Sequence, residues 1–368
     1  MSCDISKLVR KEVLNFQPYV PGKPIKELQR ELHIENIYKL ASNENSLGCS
    51  KRMLDKLGDI LPEIYRYPES SCYDLRRILS DRLNVCSDNL LFGNGSDEII
   101  ELLGKTFLNK EDEIITSAHS FVRYEMAASL MGAKTKIVPM KKGLIIDTKE
   151  MLKAVSNKTK LIFIGNPNNP TGTYVNKIDF VNFLKELPEN VLVVVDEAYY
   201  EYVDANDYPD TLCIQKDYNN LIILRTFSKL FGLAGLRIGY MIADTEIVSF
   251  VDRIRPPFNV NLIAQAAAVE TLDDGEHIKK TLDMIKEGKE FLYTEFNNMK
   301  ISYIPTAANF ILFKTKYKGR ELFEKLLKKG VIVRSVDEYD LAEYARVTIG
   351  TKEENEKFIA SLKELLNY

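Results

Sequence analysis

Lys229 is the residue of this 368-residue chain that is best placed for covalent chemistry. It stands just after Leu221–Leu224, an apolar run that predicts a short buried strand. Ser228 and Arg237 bracket the lysine with a hydrogen-bond donor and a positive charge, and nearby glycines let the backbone fold closely around the site. Clustered cations and a site low in water lower the pKa of an amine, which favours Schiff-base chemistry. The alternative is a solvated loop lysine.

Two polar residues stand at the ends of other apolar runs. Asp196 directly follows Val191–Val195, and Asn169 lies in a turn with two Asn-Pro steps after Lys160–Ile164. A carboxylate in that position is costly unless a cation pairs with it, although it could instead cap the next helix. Because helical segments separate these runs, the sequence predicts a parallel α/β sheet. Its ligand is expected at the carboxyl ends of the strands, where Asn169, Asp196 and Lys229 meet.

An anion site is predicted in Gly93–Glu98, which joins a short strand to a helical run. Its glycines free the backbone amides of the first helical turn, and these bind an anion together with the helix dipole. A dinucleotide fingerprint is excluded, because Glu98 stands where the third glycine is required. An ordinary helix cap by Ser96 or Asp97 is the alternative.

Composition narrows the class of protein. The chain is long enough for two domains, and its 45% hydrophobic and 28% charged residues are typical of a globular protein. A net charge of −3 gives no case for nucleic acid as a partner. Five cysteines without C-x-x-C spacing argue against a disulfide framework or a zinc site and favour a cytoplasmic location. No apolar run approaches the roughly 18 residues of a membrane span, so no membrane partner is expected.

The C-terminal third predicts a smaller α+β domain that follows a long charged helix, Ile278–Lys300. Arg334 and Arg346 lie there among apolar strand residues, where a solvated position explains them poorly. Bidentate capture of a carboxylate or a phosphate is the better account. The strands are expected at Ile301–Tyr303, Phe310–Phe313 and Val331–Arg334.

Several strings of the chain resemble the fold-type I pyridoxal-phosphate aminotransferases, and the histidinol-phosphate aminotransferases in particular. They occur in the family's order over nearly the whole chain: PYVPGKP, LASNEN, R-Y-P, NPNNPTG, DEAY, S-K with an arginine eight residues later, and RVTIG. The chain departs from the family pattern at Ser46 and His119, where the family usually has proline. The resemblance implies the α/β fold of type I: a large domain with a mostly parallel seven-stranded sheet and a smaller α+β domain.

The resemblance also implies a role for each matching residue. Pyridoxal 5′-phosphate would be attached to Lys229, with Asp196 on its pyridine nitrogen and Tyr199 on its 3′ oxygen. Lys229, Asp196 and Tyr199 would therefore be the catalytic residues. The remaining cofactor contacts would come from Gly95, Ser96, Asp97, Phe121, Asn169, Ser228, Arg237 and, across a dimer, Tyr67.

Substrate and assembly follow from the same resemblance. Arg346 would clamp the substrate anion, with Arg334, Asn45 and Tyr19 as further substrate-binding residues. A homodimer with shared active sites is expected, because the tyrosine of R-Y-P reaches the partner's cofactor in this family. The expected division is an N-terminal arm with part of the small domain (1–44), a large pyridoxal-phosphate-binding domain (45–260), and an interdomain helix with the small domain (261–368).

The expected reaction converts histidinol phosphate and 2-oxoglutarate to imidazole-acetol phosphate and glutamate, a step of histidine biosynthesis. An aromatic amino-acid aminotransferase shares almost all of these motifs and is the first alternative. A lyase similar to threonine-phosphate decarboxylase is the second. A pyridoxal-phosphate-binding transcriptional regulator would need a DNA-binding domain, for which no residues are left over.

Overall fold

The computed structural model describes residues 3–14, 16 and 36–368. Its largest sheet has seven strands: Leu90–Gly93 (β2), Glu113–Ser117 (β3), Lys134–Val138 (β4), Thr159–Gly165 (β5), Leu192–Asp196 (β6), Leu221–Thr226 (β7) and Gly239–Ile242 (β8). They lie in the order β2-β8-β7-β6-β5-β3-β4. Strand β8 is antiparallel to both of its neighbours, and the other pairs are parallel. The predicted fold class, with its mostly parallel seven-stranded sheet, is confirmed.

Helices surround this sheet and continue to the C-terminus. Those of the described residues are Lys11–Leu14 (α1), Lys51–Ile60 (α2), Tyr73–Leu83 (α3), Ser96–Phe107 (α4), Arg123–Leu130 (α5), Thr148–Ala154 (α6), Lys177–Glu186 (α7), Thr211–Gln215 (α8), Thr245–Asp252 (α9), Leu262–Leu272 (α10), Gly275–Asn298 (α11), Gly319–Leu327 (α12) and Lys352–Leu366 (α13). None of these helices is both long and apolar enough to cross a membrane.

The large sheet is buried on both faces, and successive side chains of β6 show how. Val194 packs into the apolar cluster that includes helix α4, whereas Val193 and Val195 pack into the opposite cluster with helix α7. Side chains alternate between the faces of a strand, so an uninterrupted run of valines serves both faces. This is why the buried strands of the large sheet can be predicted from continuous apolar runs.

Two smaller sheets form the C-terminal part. Their strands are Tyr38–Lys39 (β1), Ser302–Ile304 (β9), Phe310–Lys314 (β10), Val331–Ile332 (β11), Arg334–Ser335 (β12) and Tyr344–Thr348 (β13). One sheet is antiparallel in the order β12-β13-β10-β9, and the other is the parallel pair β1-β11. The N-terminal segment at Tyr38 is therefore attached to the C-terminal part. The division at 44 and 260 stays a prediction.

Two strands differ from the sequence prediction. The run Val331–Arg334, predicted as one strand, divides at Val333 into β11 and β12, which pair in different sheets. Strand β8 was not predicted, because Gly239–Ile242 follows a glycine-rich stretch and is only four residues long. Its pairing with β2 and β7 holds these residues in the extended conformation, which their local sequence does not indicate.

Candidate active site

A cavity of about 370 Å³ opens at the carboxyl ends of β5, β6 and β7. Residues near these strand ends form one wall, and residues of the small antiparallel sheet and the turn at Ala41–Glu44 form the other. Eleven of the sequence-predicted residues line it: Ser96, Asp97, Phe121, Asn169, Asp196, Tyr199, Ser228, Lys229, Arg237, Arg334 and Arg346. The parallel arrangement explains this convergence, because all three strands end at the same edge of the sheet.

Lys229 lies three residues beyond β7 and lines this cavity. Its Nζ donates to the carbonyl oxygen of Ser42 at 3.2 Å and lies 5.6 Å from the centre of the Tyr199 ring. Burial, together with the positive charges of Arg346 and Arg237, lowers the pKa of the ammonium group to about 8. A useful fraction of the amine is therefore uncharged and nucleophilic near neutral pH.

Asp196 ends β6 and is buried in the same cavity. Its carboxylate accepts hydrogen bonds from the Tyr124 hydroxyl at 2.9 Å and from the backbone N–H of Ala198 at 3.1 Å. Tyr124 in turn stacks on Phe163 with ring centres 4.8 Å apart. Burial raises the pKa of Asp196 to about 6, more than these two neutral donors lower it. The site thus holds a carboxylate that a nearby positive charge would stabilise.

The anion site is built by Gly95, Ser96 and Arg237. Gly95 precedes helix α4 with φ +77°, and a Cβ atom on it would lie 2.6 Å from Nη2 of Arg237. Glycine is therefore required here for the guanidinium to approach the first turn of the helix. Arg237 also faces Asp97 at 3.6 Å, which keeps the guanidinium beside the helix N-terminus. This arrangement suits a phosphate group.

Two arginines form the opposite wall. Arg334 and Arg346 are direct cross-strand partners on β12 and β13, and both line the cavity. Arg346 contacts the side chain of Asn169 and donates to the carbonyl oxygen of Ala41 at 2.8 Å. Among the described residues its buried Nε has no hydrogen-bond partner. Arg334 is paired with Glu338, so its positive charge is partly balanced.

Two of the predicted site residues that the structure describes lie away from this cavity. Asn45 does not line the cavity, because its amide group donates to the carbonyl oxygen of Leu230 and the hydroxyl of Thr281 and accepts from the N–H of Leu47. In this structure it holds the turn against helix α11, and its role in substrate binding stays a prediction. Tyr67 is 83% exposed, away from this chain's own cavity, and stacks on Phe258. Tyr19 lies outside the described residues.

Sequence reasoning predicted the turn at 40–45 but gave no site role to its residues before Asn45. Three successive residues of this turn contact predicted site residues. The carbonyl oxygen of Ala41 accepts from Arg346, and that of Ser42 accepts from Lys229. The side chain of Asn43 donates to the Tyr199 hydroxyl at 3.0 Å. The string LASNEN marked the turn, but nothing local distinguished its two asparagines.

A buried ion pair behind the cavity was also missed. Arg225 on β7 donates from Nε and Nη2 to Glu197 at 2.9 and 2.8 Å, and both side chains are almost fully buried. Thr211 donates to the same carboxylate, and the ring of Tyr200 covers the guanidinium. The pair joins the ends of β6 and β7, one residue after Asp196. The sequence did contain an indication of this pair, because acidic Glu197 and basic Arg225 each stand at the end of an apolar run.

Comparison with known proteins identifies the class. Residues 35–362 match the family model described as aminotransferase class I and II, and the chain therefore belongs to this family of enzymes. Aminotransferases of this class depend on pyridoxal 5′-phosphate.

Sequence relatives narrow the family further. The chain is 46% identical to a histidinol-phosphate aminotransferase of Moorella thermoacetica, over 97% of this chain and 92% of that protein. It is 44% identical to one of Caldicellulosiruptor saccharolyticus, over 98% of this chain and 100% of that protein. A crystal structure of the Sinorhizobium meliloti histidinol-phosphate aminotransferase with pyridoxal 5′-phosphate shares the fold, with a TM-score of 0.89, 24% identity, and coverage of 98% of this chain and 97% of that one. The chain is a member of the histidinol-phosphate aminotransferase family.

The cavity residues fit this cofactor. Asp196 is a buried carboxylate whose raised pKa a protonated ring nitrogen would lower. Gly95 leaves room for Arg237 beside the helix N-terminus, where a phosphate is favoured. Lys229 is a buried amine with a lowered pKa, as covalent attachment of an aldehyde requires.

Proposed function

We propose that this protein transfers the amino group of histidinol phosphate to 2-oxoglutarate, giving imidazole-acetol phosphate and glutamate. The observation that carries the proposal is the pair Arg334 and Arg346, side by side on β12 and β13 in the wall that faces Lys229. Two guanidinium groups suit a dianionic phosphate, and either one can hold a carboxylate. The names of the curated relatives point to the same substrate.

The proposed mechanism assigns each step to a residue of the chain. Bound pyridoxal 5′-phosphate withdraws electrons from the reacting carbon of the substrate. Lys229, whose pKa of about 8 leaves part of the amine uncharged, would take the proton from that carbon and deliver it to C4′ of the cofactor. Asp196 would keep a proton on the ring nitrogen, and Tyr199 would donate to the 3′ oxygen. Phe121 would cover the ring and exclude water.

The substrate anion would be held by Arg346 in both half-reactions. Its guanidinium is fixed by Ala41 and Asn169, and its buried Nε keeps one donor for a ligand. Arg334 carries Glu338 as a counterion, so an incoming anion must share that arginine with a carboxylate. A dianion competes better than a monoanion for a shared cation, which favours the phosphate over a carboxylate.

The test is kcat/KM for histidinol phosphate, histidinol, phenylalanine, threonine phosphate and glutamate. We expect Arg346→Ala to lower kcat/KM roughly tenfold or more for histidinol phosphate and for glutamate, because a hydrogen bond to a charged group contributes about 1.5–3 kcal/mol. Arg334→Ala should weaken histidinol phosphate more than glutamate. Arg52→Ala, which removes a surface arginine paired with Glu270, is the control for lost charge. A wild-type preference for phenylalanine, or decarboxylation of threonine phosphate, would replace the proposal with the corresponding alternative.

We also propose a homodimer with shared active sites. Tyr67 is fully at the surface and stacks on Phe258, and Ile64, Tyr65 and Leu61 are exposed in the same part of the chain. Exposed apolar side chains in this number favour an interface between subunits. Tyr67 would then enter the neighbouring subunit's site. The cytoplasmic location suggested by the cysteine content stays a prediction.

A further inference from the structure

Asn43 is a buried side chain of the cavity wall to which the family motifs assigned no role. It is 1% exposed and adopts φ +56°, a backbone conformation that asparagine tolerates better than most residues. Its amide nitrogen donates to the hydroxyl oxygen of Tyr199 at 3.0 Å. Asn43 thus joins the turn beside the small sheet to Tyr199, a catalytic residue just beyond strand β6 of the large sheet.

The amide of Asn43 lies with its oxygen toward Thr348 and its nitrogen toward Tyr199. The hydroxyl oxygen of Thr348 accepts the backbone N–H of Asn43 at 3.0 Å, and the hydroxyl proton is directed at Oδ1 of Asn43 at 3.2 Å. Because Oδ1 accepts this proton, the NH₂ group is the part that faces Tyr199. Asn309 holds the same turn by donating to the carbonyl oxygen of Asn43 at 3.1 Å.

Because Asn43 donates to the hydroxyl oxygen of Tyr199, the hydroxyl proton of Tyr199 must point elsewhere. A phenol has one proton to donate, and its oxygen also accepts. Since Asn43 is the donor in the bond with Tyr199, the tyrosine's own proton is left for another acceptor. The ring of Tyr199 is buried edge-on against Phe310, which limits its movement. The hydroxyl borders the same cavity as Lys229.

We propose that Asn43 is a positioning residue that directs the hydroxyl proton of Tyr199 into the cavity, toward the 3′ oxygen of the cofactor. This inference rests on the proposed function, in which Tyr199 donates to that oxygen. Asn43 acts through Tyr199, and Thr348 acts through Asn43 by holding its amide in one orientation. A residue with an acceptor in place of the amide nitrogen would turn the proton of Tyr199 away from the cofactor.

The experiment compares Asn43→Asp, Asn43→Ala, Tyr199→Phe and the double variant Asn43→Asp/Tyr199→Phe with the wild-type holoenzyme. The measurement is the pH midpoint at which the absorption band of the bound cofactor changes. A donor to the 3′ oxygen stabilises its anionic form, so loss of the donor raises the midpoint. Tyr199→Phe should raise it by roughly one to two pH units, the range that one hydrogen bond to a charged group supports.

Asn43→Asp retains the acceptor for Thr348 but presents a second acceptor to Tyr199, which must then donate to it. We expect its midpoint to rise nearly as far as that of Tyr199→Phe. Asn43→Ala should raise it less, because the tyrosine keeps its proton free for the cofactor. A purely structural role would make alanine at least as damaging as aspartate, and that result would overturn the inference.

The double variant separates the inference from the proposed function. Its pH midpoint reports only the direct effect of the new negative charge at position 43, because residue 199 no longer has a hydroxyl proton that the aspartate could draw away from the cofactor. We expect the aspartate to raise the midpoint much less in this background than in the wild type, and equal rises would overturn the role of Asn43. No rise in Tyr199→Phe itself would overturn the proposed role of Tyr199. Thr348→Val, with Thr348→Ser as its matched control, tests the orientation in a chain that keeps Asn43: valine should raise the midpoint and serine should not.

Discussion

Asp196→Asn is expected to stabilise the chain when the cofactor has been removed. Asp196 is buried at the end of β6, and burial raises its pKa from an ordinary value of 3.8 to about 6. A carboxyl group with a raised pKa disfavours the folded state once it is ionised. Asparagine has nearly the same shape and no charge, so the substitution removes this cost without opening a cavity.

The size of the effect follows from the two pKa values. The rise from 3.8 to about 6 costs the folded state about 3 kcal/mol at a pH above both values, because each unit corresponds to about 1.4 kcal/mol. The substitution also disturbs the hydrogen bond from Tyr124, which contributes about 1 kcal/mol. A net stabilisation of about 2 kcal/mol is therefore expected at pH 8.

The difference in stability between the variant and the wild type should change with pH in a defined direction. Below pH 3.8 the carboxyl group is protonated in both the folded and the unfolded chain, so its charge has no effect on stability. As the pH rises from about 4 to 6, the unfolded chain ionises first and the wild type loses stability relative to the variant. Above pH 6 the difference is constant. Near pH 4 the lost Tyr124 bond should leave the variant slightly less stable.

The assay is urea unfolding of the cofactor-free proteins between pH 4 and pH 8. The chain has no tryptophan, so unfolding is best followed by far-ultraviolet circular dichroism. Asp55→Asn, at an exposed carboxylate on helix α2, is the matched control and should change stability by less than about 0.5 kcal/mol. A variant that is less stable at pH 8, or a difference that does not vary with pH, would refute the reasoning. With the cofactor bound the order should reverse, because asparagine cannot pair with a protonated ring nitrogen.

Two further predictions concern the cofactor and the assembly. Borohydride reduction of the holoenzyme followed by peptide mapping should label Lys229, whose amine is buried and has a lowered pKa; a label on another lysine would contradict the assignment. Mixing Tyr67→Phe with Lys229→Ala subunits should give hybrid dimers in which one site carries neither change and regains activity. If subunit exchange is demonstrated and activity stays at the level of the separate variants, the shared-site dimer is wrong.

Much of the site could be read from local sequence. Asn169, Asp196 and Lys229 each follow an apolar strand, and parallel strands bring their carboxyl ends to one edge whatever the details of packing. Arg346 was recognisable because a charged residue among apolar strand residues needs a partner. Such patterns depend on neighbours within a few residues, so the chain itself carries the signal.

Other features depended on partners far along the chain. Asn43 and Asn45 lie in one turn with similar local sequence. The sequence analysis named Asn45 as a site residue, whereas Asn43 is the one that lines the cavity. Asn43 faces the cavity because Tyr199 and Thr348, more than 150 residues away, accept and orient its amide. Asn45 faces away because Thr281 and Leu230 occupy its side chain.

The sequence by itself therefore determined most of the elements, the sheet type and the polar residues at the strand ends, because each of these is encoded by short-range periodicity and strand-end chemistry. Tertiary structure decided which asparagine of the 41–45 turn lines the cavity, and it divided the run 331–334 between two sheets. It also paired Arg225 with Glu197 behind the strand ends. In each case the deciding contact joins segments distant in sequence, and its free energy exists only once both segments are folded.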